Sequence, residues 1–143
     1  SGTVDLAAAL RGLAADDVSV SAPGTPVPVG RAVAGELRAA LANAIANTRT
    51  HAGPGARSYV LLEDLGDEVV VSVRDDGVGI APGRLEQARR DGRMGVSKSI
   101  VGRIEALGGR ATLESAPGEG TEWEWTVGRG IPDRETAGKT RER

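Results

Sequence analysis

The chain of 143 residues is long enough for one domain with its own core, and its 39% hydrophobic and 27% charged residues are usual for a soluble globular protein. A net charge of −2 gives no electrostatic footprint for nucleic acid, and no apolar run approaches the roughly 20 residues that cross a bilayer. Zero cysteines exclude thiol chemistry, and a single histidine disfavours a zinc site. We therefore expect a cytoplasmic domain without direct membrane contact, and any membrane anchor would lie elsewhere in the full-length protein.

The N-terminal part of the chain predicts one helix and two short extended segments. Asp5–Ala14 has leucines at i, i+4 and i+7, the stripe of an amphipathic helix, and Asp5 suits its N-cap. Val18–Ala22 alternates between apolar and polar residues, which predicts a short strand. Thr25–Val29 carries two prolines, so we expect an edge strand or an extended linker there.

The longest helical pattern follows, in the alanine-rich segment Arg31–Thr50. Asn43, Asn47 and His51 are spaced four residues apart, so the three side chains project from one side of this helix. They could form a solvated polar face with a histidine at the helix C-terminus. Asparagine is a poor residue for a helix interior, however, and an amide oxygen is a suitable ligand for Mg²⁺.

Ala56–Leu65 and Glu68–Asp75 predict an antiparallel hairpin with a polar turn. The second strand alternates β-branched and other residues and continues into Asp75–Ile80, where a carboxylate pair is followed by two glycines. This arrangement could be a charged strand end with a simple turn. It would equally hold a carboxylate rigidly beside a backbone that a small ligand can approach.

The second half of the chain predicts a further helix and a second hairpin. Pro82–Asp91 is polar and predicts a short helix or a loop, and Val96–Leu107 returns to helical periodicity before a glycine pair. Arg110–Ser115 and Thr121–Val127 then predict a second hairpin. A glycine-containing loop before the Val96 helix is a candidate anion site, because free N–H groups and the helix dipole both face a ligand there.

The order of elements predicts an α+β fold. Paired strands with interspersed helices favour a two-layer sandwich, in which a mixed, mostly antiparallel sheet carries its helices on one face. Residues 1–128 would form this domain. Residues 129–143 are polar and bury too little to order themselves, so we expect a disordered tail.

Four polar or glycine-rich segments together resemble the ATP-binding domain of the GHKL superfamily, and within it the sensor histidine kinases of two-component systems. Asn47–Ala52 resembles the N box, and Asp75–Ile80 matches the D-x-G-x-G pattern of the G1 box. Gly92–Val96 resembles a shortened G2 box, and Ser99–Gly109 with Leu113–Thr121 is similar to the ending of the kinase domain. The resemblance covers about residues 5–127.

This resemblance implies binding of ATP and Mg²⁺ and transfer of the γ-phosphoryl group to a histidine on a separate dimerisation domain. It gives Asp75 the role of accepting from the adenine amino group, and it makes Asn47 the ligand of Mg²⁺. Asn43 and His51 also occupy catalytic positions, and His51 would lie near the phosphates instead of being the phosphorylated residue. The implied partners are the acceptor-histidine domain and a response regulator with a helix-turn-helix output domain. The other implied nucleotide-binding residues are Gly77, Gly79, Ile80, Gly92, Gly95, Val96, Gly118, Gly120 and Thr121.

Two positions depart from the family pattern. Asn43 stands where the family often has a glutamate, and an amide cannot accept a proton at neutral pH. Arg93 and Met94 replace a further glycine in the G2 box, which suggests a shorter or stiffer lid. Two alternatives stay open: a serine/threonine kinase of the anti-sigma-factor type, which shares this fold, and a degenerate module that binds a nucleotide or a partner protein without catalysis, which Asn43 favours.

Overall fold

A computed structural model of the chain describes residues 2–79 and 95–131. Within these ranges the chain forms helices and strands whose bounds are as follows. The helices are α1 (Leu6–Arg11), α2 (Arg31–His51) and α3 (Gly95–Ala106). The strands are β1 (Thr3–Asp5), β2 (Val18–Ser21), β3 (Pro28–Gly30), β4 (Ser58–Asp64), β5 (Glu68–Asp75), β6 (Arg110–Ser115) and β7 (Thr121–Gly128).

Five strands form one sheet in the order β2-β4-β5-β7-β6. β2 and β4 run parallel, and the other neighbours are antiparallel, so the predicted mixed sheet is confirmed. The register pairs Asp75 at the end of β5 with Ser58 on β4 and with Thr121 on β7. The carboxylate predicted to bind a ligand therefore lies at the end of a central strand that is fixed on both sides.

The core fills the space between one face of this sheet and the helices. Alternate residues of β5 and β7 point into it, and all three helices contribute apolar side chains to the same cluster. Both faces of β5 are buried between Val69 and Val73, although its period-two pattern predicts burial of one face only. The predicted α+β fold with helices on one face is confirmed. The sheet residues of this core include Val69, Val71, Val73, Trp123, Trp125 and Val127.

Both predicted N-terminal helices form, and each starts where its sequence signals indicate. The carboxylate of Asp5 caps α1 by accepting from the backbone N–H of Ala7 at 3.0 Å, and it also accepts from the N–H of Val27 at 2.9 Å. α2 begins at Arg31 and has 21 residues, so it continues to His51, one residue beyond the prediction. Its apolar stripe extends as far as Thr48, which is buried.

A two-stranded antiparallel sheet, β1 with β3, lies beside the main sheet. The sequence did not predict β1, and Thr25–Val29 forms a strand only at its end, as β3. Arg129, directly after β7, is tied to this region: the N–H of Gly30 donates to the Arg129 carbonyl at 2.7 Å. The Arg129 guanidinium also contacts the Asp64 carboxylate and donates to two backbone carbonyls, one of them on Pro28 at 2.8 Å.

The remaining predicted elements are found in the second half of the chain. Both predicted hairpins form, as β4–β5 and β6–β7, and the helix predicted over Val96–Leu107 is α3. The segment Pro82–Asp91 and residues 132–143 of the predicted tail lie outside the described residues. None of the three described helices combines the length and apolarity that spanning a bilayer requires.

Candidate functional site

A cleft open to solvent lies where the C-terminal half of α2 faces the end of β5 and the start of β7. Residues from α2, from the turn after β5 and from the start of β7 all contribute to it, so segments predicted separately meet here. The lining residues are Ala44, Asn47, Thr48, His51, Ala52, Val73, Asp75, Gly79, Leu113, Thr121 and Trp123.

Asp75 is the charged group of this cleft, and 7% of it is exposed. The backbone N–H of Gly77 donates to Asp75 Oδ1 at 2.9 Å, and the hydroxyl of Thr48 donates to Oδ2 at 3.3 Å. A buried carboxylate is costly unless it is hydrogen-bonded, and these two donors supply that stabilisation. Because a carboxylate has about four acceptor positions, Asp75 retains the capacity to accept from a ligand.

Two residues near this carboxylate must be glycine, because each has a positive φ and no space for a Cβ. Gly79 and Gly120 have φ angles of +72° and +74°, a left-handed conformation that L side chains rarely adopt. A Cβ on Gly79 would lie 2.0 Å from the Ala116 carbonyl oxygen, and one on Gly120 would lie 2.0 Å from the carbonyl oxygen of Asp75. Both predicted glycines therefore permit close backbone packing beside Asp75.

The turn that follows Asp75 is held on both sides. The N–H of Val78 donates to the Ala52 carbonyl at 3.0 Å, directly after the end of α2. On the other side, the N–H of Gly118 donates to the Val78 carbonyl at 2.8 Å. Gly77 has no room for a side chain either, since its Cβ would lie 2.4 Å from the carbonyl oxygen of Ala52. The turn thus joins the end of α2 to the loop between β6 and β7.

The three residues of α2 that were predicted as site residues divide into two groups. Asn47 is half-buried and His51 is exposed, and both line the cleft. Asn43 is half-buried one turn earlier and is absent from the described residues that line the cleft. Glu36, which precedes Asn43 on the same helix, forms an ion pair with Arg103 of α3 at 2.8 Å. Its carboxylate is thus engaged between the two helices.

Hydroxyl groups border the cleft at the start of β7. Thr121 lines it, and its Oγ1 lies 3.0 Å from the Oγ of Ser115. Ser115 also donates to the carbonyl of Gly120 at 3.0 Å. The loop that precedes β7 is therefore fixed both by Gly120 and by this hydroxyl pair.

The other predicted site residues fall at different places. Gly118, with a φ of +76°, belongs to the loop that holds Val78. Gly95 and Val96 are the first residues of α3. Ile80 and Gly92 lie outside the described residues, as do Arg93 and Met94.

Asp76, the second carboxylate of the pair, has a structural environment. It is exposed, and its Oδ1 accepts from the backbone N–H of Arg57 at 2.7 Å. The hydroxyl of Tyr59 donates to Oδ2 at 3.4 Å, and the guanidinium of Arg74 lies 4.5 Å from the centre of the Tyr59 ring. The hydrogen bond from Arg57 is the main cause that lowers the pKa of Asp76 below its usual range. Asp76 therefore links β5 to the start of β4.

The donor set of the cleft fits a metal ion that arrives with a ligand. Among residues 2–79 and 95–131, no group of three or more histidine, aspartate or glutamate side chains could hold a metal ion. Asn47 offers a neutral amide oxygen at the cleft. Such a site suits Mg²⁺, which commonly takes one or two protein ligands and completes its shell with water and phosphate oxygens.

Sequence reasoning did not identify every residue of the cleft. Thr48 lies within the segment that resembles the N box, where the resemblance gives it no role, yet its hydroxyl contacts Asp75. Ala52 and Trp123 also line the cleft, and neither carries a chemical signal that a pattern search would detect. A threonine within an otherwise aliphatic stripe was the available signal for Thr48.

The fold is similar to those of two solved structures, which have low sequence identity to the chain. The histidine kinase domain of a blue-light activated histidine kinase from Erythrobacter litoralis EL346 has a TM-score of 0.63 at 17% identity, covering 89% of this chain and 68% of that one. A longer structure of the blue-light activated histidine kinase from the same organism gives 0.62 at 17% identity, covering 92% and 41%. At this identity, the likeness shows the fold alone.

Sequence similarity extends to a curated relative and to a family model. The chain is 32% identical over 98 residues to the probable sensor histidine kinase TcrY of Mycobacterium tuberculosis, a match that covers 59% of this chain and 21% of the relative. The chain thus spans about a fifth of the length of that relative. Residues 32–133 match the model of the histidine kinase-, DNA gyrase B- and HSP90-like ATPases, a range that includes every residue lining the cleft. The chain therefore belongs to the family of histidine kinase-, DNA gyrase B- and HSP90-like ATPases.

Proposed function

We propose that this domain binds ATP with Mg²⁺ and presents the γ-phosphoryl group to a histidine on another domain, as the catalytic domain of a sensor histidine kinase. The observation that carries the proposal is the buried Asp75 carboxylate, which Thr48 and Gly77 hold in the cleft. Its remaining acceptor positions suit the exocyclic amino group of adenine. Guanine has a carbonyl oxygen at the corresponding position, and two acceptors facing each other would be unfavourable.

Asn47 and His51 serve the phosphate end of the nucleotide in this proposal. The Asn47 amide oxygen is a ligand for Mg²⁺, which when bound neutralises charge on the phosphates. His51 lies one helical turn further along the same side and offers a ring N–H to a phosphate oxygen. Close approach of the nucleotide would depend on the remaining predicted residues, namely Gly77, Gly79, Ile80, Gly92, Gly95, Val96, Gly118, Gly120 and Thr121.

Phosphoryl transfer requires a group that accepts the proton of the acceptor histidine, and neither Asn43 nor Glu36 on α2 is suited to this role. Asn43 is a neutral amide, and the Glu36 carboxylate is paired with Arg103. We therefore propose that the domain binds ATP and positions it, while the acceptor domain contributes to activation of its own histidine. A nucleotide-binding module without catalysis is the second candidate, and the neutral side chain of Asn43 is the observation that favours it.

The proposed partners follow from the type of kinase. The acceptor histidine would lie on a dimerisation domain of the same protein, and the cognate response regulator, with a helix-turn-helix output domain, would receive the phosphoryl group next. The sequence similarity to a probable sensor histidine kinase supports this assignment. An anti-sigma-factor type of kinase would phosphorylate a protein serine or threonine instead.

One experiment separates these candidates. The domain is mixed with a separately expressed acceptor-helix domain and with ATP labelled at the γ-phosphate, and nucleotide binding is measured in parallel by calorimetry. Acid-labile label on the acceptor histidine is the expected result. Binding without transfer would favour the non-catalytic module, and failure to bind ATP would contradict the proposal as a whole.

A further inference from the structure

Thr48 is the residue of the cleft whose position is hardest to explain by packing alone. It lies on the buried face of α2, with 6% of it exposed, among aliphatic side chains. Its hydroxyl lies 3.2 Å from the Ala44 carbonyl oxygen and 3.3 Å from Asp75 Oδ2. A valine would fill nearly the same volume without a polar group, so the hydroxyl calls for a reason beyond packing.

A hydroxyl has one proton, so Thr48 can direct it fully to one of these two acceptors. The Ala44 carbonyl lies one turn earlier on α2, the usual partner of a threonine inside a helix. Asp75 offers a charged acceptor, and hydrogen bonds to ionised groups are about twice as strong as neutral ones. Although the two distances are nearly equal, the carboxylate of Asp75 is therefore the favoured acceptor of the Thr48 proton.

The Asp75 carboxylate is consequently oriented by donors from two different elements. The N–H of Gly77 in the turn after β5 holds Oδ1, and the hydroxyl of Thr48 on α2 holds Oδ2. With one donor on each oxygen, rotation of the carboxylate about its terminal bond would break at least one hydrogen bond. This rotation is otherwise soft, because the torsion about a terminal sp²-hybridised carboxylate is broad.

We infer that Thr48 is a positioning residue that sets the selectivity of the cleft for a 6-amino purine. The inference rests on the proposed function, in which Asp75 accepts from the adenine amino group. Thr48 acts through Asp75: it fixes which acceptor positions of the carboxylate remain available to the base. A nucleotide that cannot donate to Asp75 gains nothing from this orientation.

The test compares ATP with ITP, which carries a carbonyl oxygen in place of the amino group. Thr48→Val removes the hydroxyl at nearly constant volume, and Thr48→Ser retains it. Thr50→Val is the matched control, because the Thr50 hydroxyl donates to the Ala46 carbonyl at 2.9 Å on the same helix but is exposed and lies away from Asp75. Affinities for both nucleotides are measured by calorimetry, and folding of each variant is checked by thermal unfolding.

We expect Thr48→Val to weaken ATP binding about tenfold, because Asp75 is then no longer oriented and its hydrogen bond to the amino group of the base is largely lost, while the affinity for ITP changes less than about twofold. Thr48→Ser should restore most of the preference for ATP over ITP, and Thr50→Val should leave the preference unchanged. In the Asp75→Asn background, Thr48→Val should add little further loss. If Thr48→Val does not fold, Thr48→Ala permits the same comparison.

Several results would overturn the inference. Unchanged affinities for both ATP and ITP in Thr48→Val would show that the hydroxyl does not contribute to nucleotide binding. An equal loss of affinity for both nucleotides would indicate a purely structural role. These results leave the proposed function intact as long as the unchanged protein binds ATP and loses that binding with Asp75→Asn. If the unchanged protein does not bind ATP, both the proposed function and the inference fail.

Discussion

Gly120 packs so closely against Asp75 that a Cβ on the glycine would lie 2.0 Å from the Asp75 carbonyl oxygen. β7 can begin beside this carboxylate because residue 120 has no side chain. The backbone also has a positive φ there, so a larger residue meets a steric and a conformational obstacle at once. The shape of the cleft thus depends on this contact.

Gly120→Ala should destabilise the fold more than Gly118→Ala, although both residues have nearly the same φ. Within the described part of the chain, a Cβ on Gly118 would meet no atom within 4 Å, so its substitution isolates the conformational cost of about 1–2 kcal/mol. Gly120→Ala adds the clash and should cost about 3 kcal/mol or more. Urea unfolding of both variants measures the loss of unfolding free energy. Equal losses would mean that the close contact at Gly120 does not contribute to stability.

Asp75→Asn should weaken ATP binding tenfold or more, which corresponds to about 1.4 kcal/mol, because the amide replaces one acceptor with a donor. Asp76→Asn is the matched control, since the neighbouring carboxylate is exposed and contacts Arg57 and Tyr59 instead. Calorimetry on the two variants provides the measurement. An Asp75→Asn variant that binds ATP as the unchanged protein does would rule out the adenine contact.

Asn47→Ala should remove most of the dependence of ATP affinity on Mg²⁺. The amide oxygen is the proposed ligand, and loss of one ligand in a shell otherwise made of phosphate and water weakens the ternary complex. Affinity is measured with Mg²⁺ and with a chelator, and Asn47→Asp, which keeps an oxygen ligand, should retain the dependence. A Mg²⁺ effect of the same size in Asn47→Ala would contradict the metal role.

Asn43→Glu should speed phosphoryl transfer to a separately supplied acceptor domain, because it adds a carboxylate that can accept a proton. General base catalysis typically contributes about 10²–10⁴-fold, so even partial alignment should give about a tenfold gain. Asn43→Gln has the same length without the charge and should give no gain. Single-turnover transfer of labelled phosphate is the measurement, and equal rates for the two variants would show that residue 43 is not the limiting group.

The stability of the domain should fall as the pH decreases below about 5. The pKa of Asp76 is lowered by the N–H of Arg57, and that of Asp64 is lowered by the N–H of Gly66 and then by Arg129. A carboxyl group whose pKa is lower in the folded state adds stability above its ordinary value of about 4, and this contribution is lost as the pH falls through the folded pKa.

The measurement is urea unfolding at a series of pH values between about 5 and 2. The double variant Asp64→Asn/Asp76→Asn should show a shallower loss of unfolding free energy over this window, because two of the responsible groups no longer titrate. A slope identical to that of the unchanged protein would show that other groups control the acid response.

The strands, turns and helix caps that have a short-range sequence signal could be predicted from the sequence. The strand that ends at Asp75 was predictable from its β-branched residues, and the turn after it was predictable because Gly79 needs a positive φ. The cap of α1 by Asp5 was likewise a local signal. Each of these features has a signal within a short stretch of the sequence.

Contacts between distant residues were not predictable in the same way. The Thr48 hydroxyl finds its partner 27 residues away, and the acceptors of the Arg129 guanidinium lie 63 to 101 residues upstream. No pattern within a window contains both members of such a pair. β1 was missed because three residues are too short to show a period, and it is stabilised by pairing with β3.

The contact between Arg129 and Gly30 has a consequence for how this domain can be attached to others. Thr3 pairs with Gly30, and Gly30 donates to Arg129, so the two ends of the described chain meet at the Glu68 end of β5. Asp75 lies at the opposite end of that eight-residue strand, about 23 Å away at roughly 3.3 Å per residue. A domain joined to the chain at either of these ends would therefore have to extend over the length of β5 before one of its side chains reached the cleft.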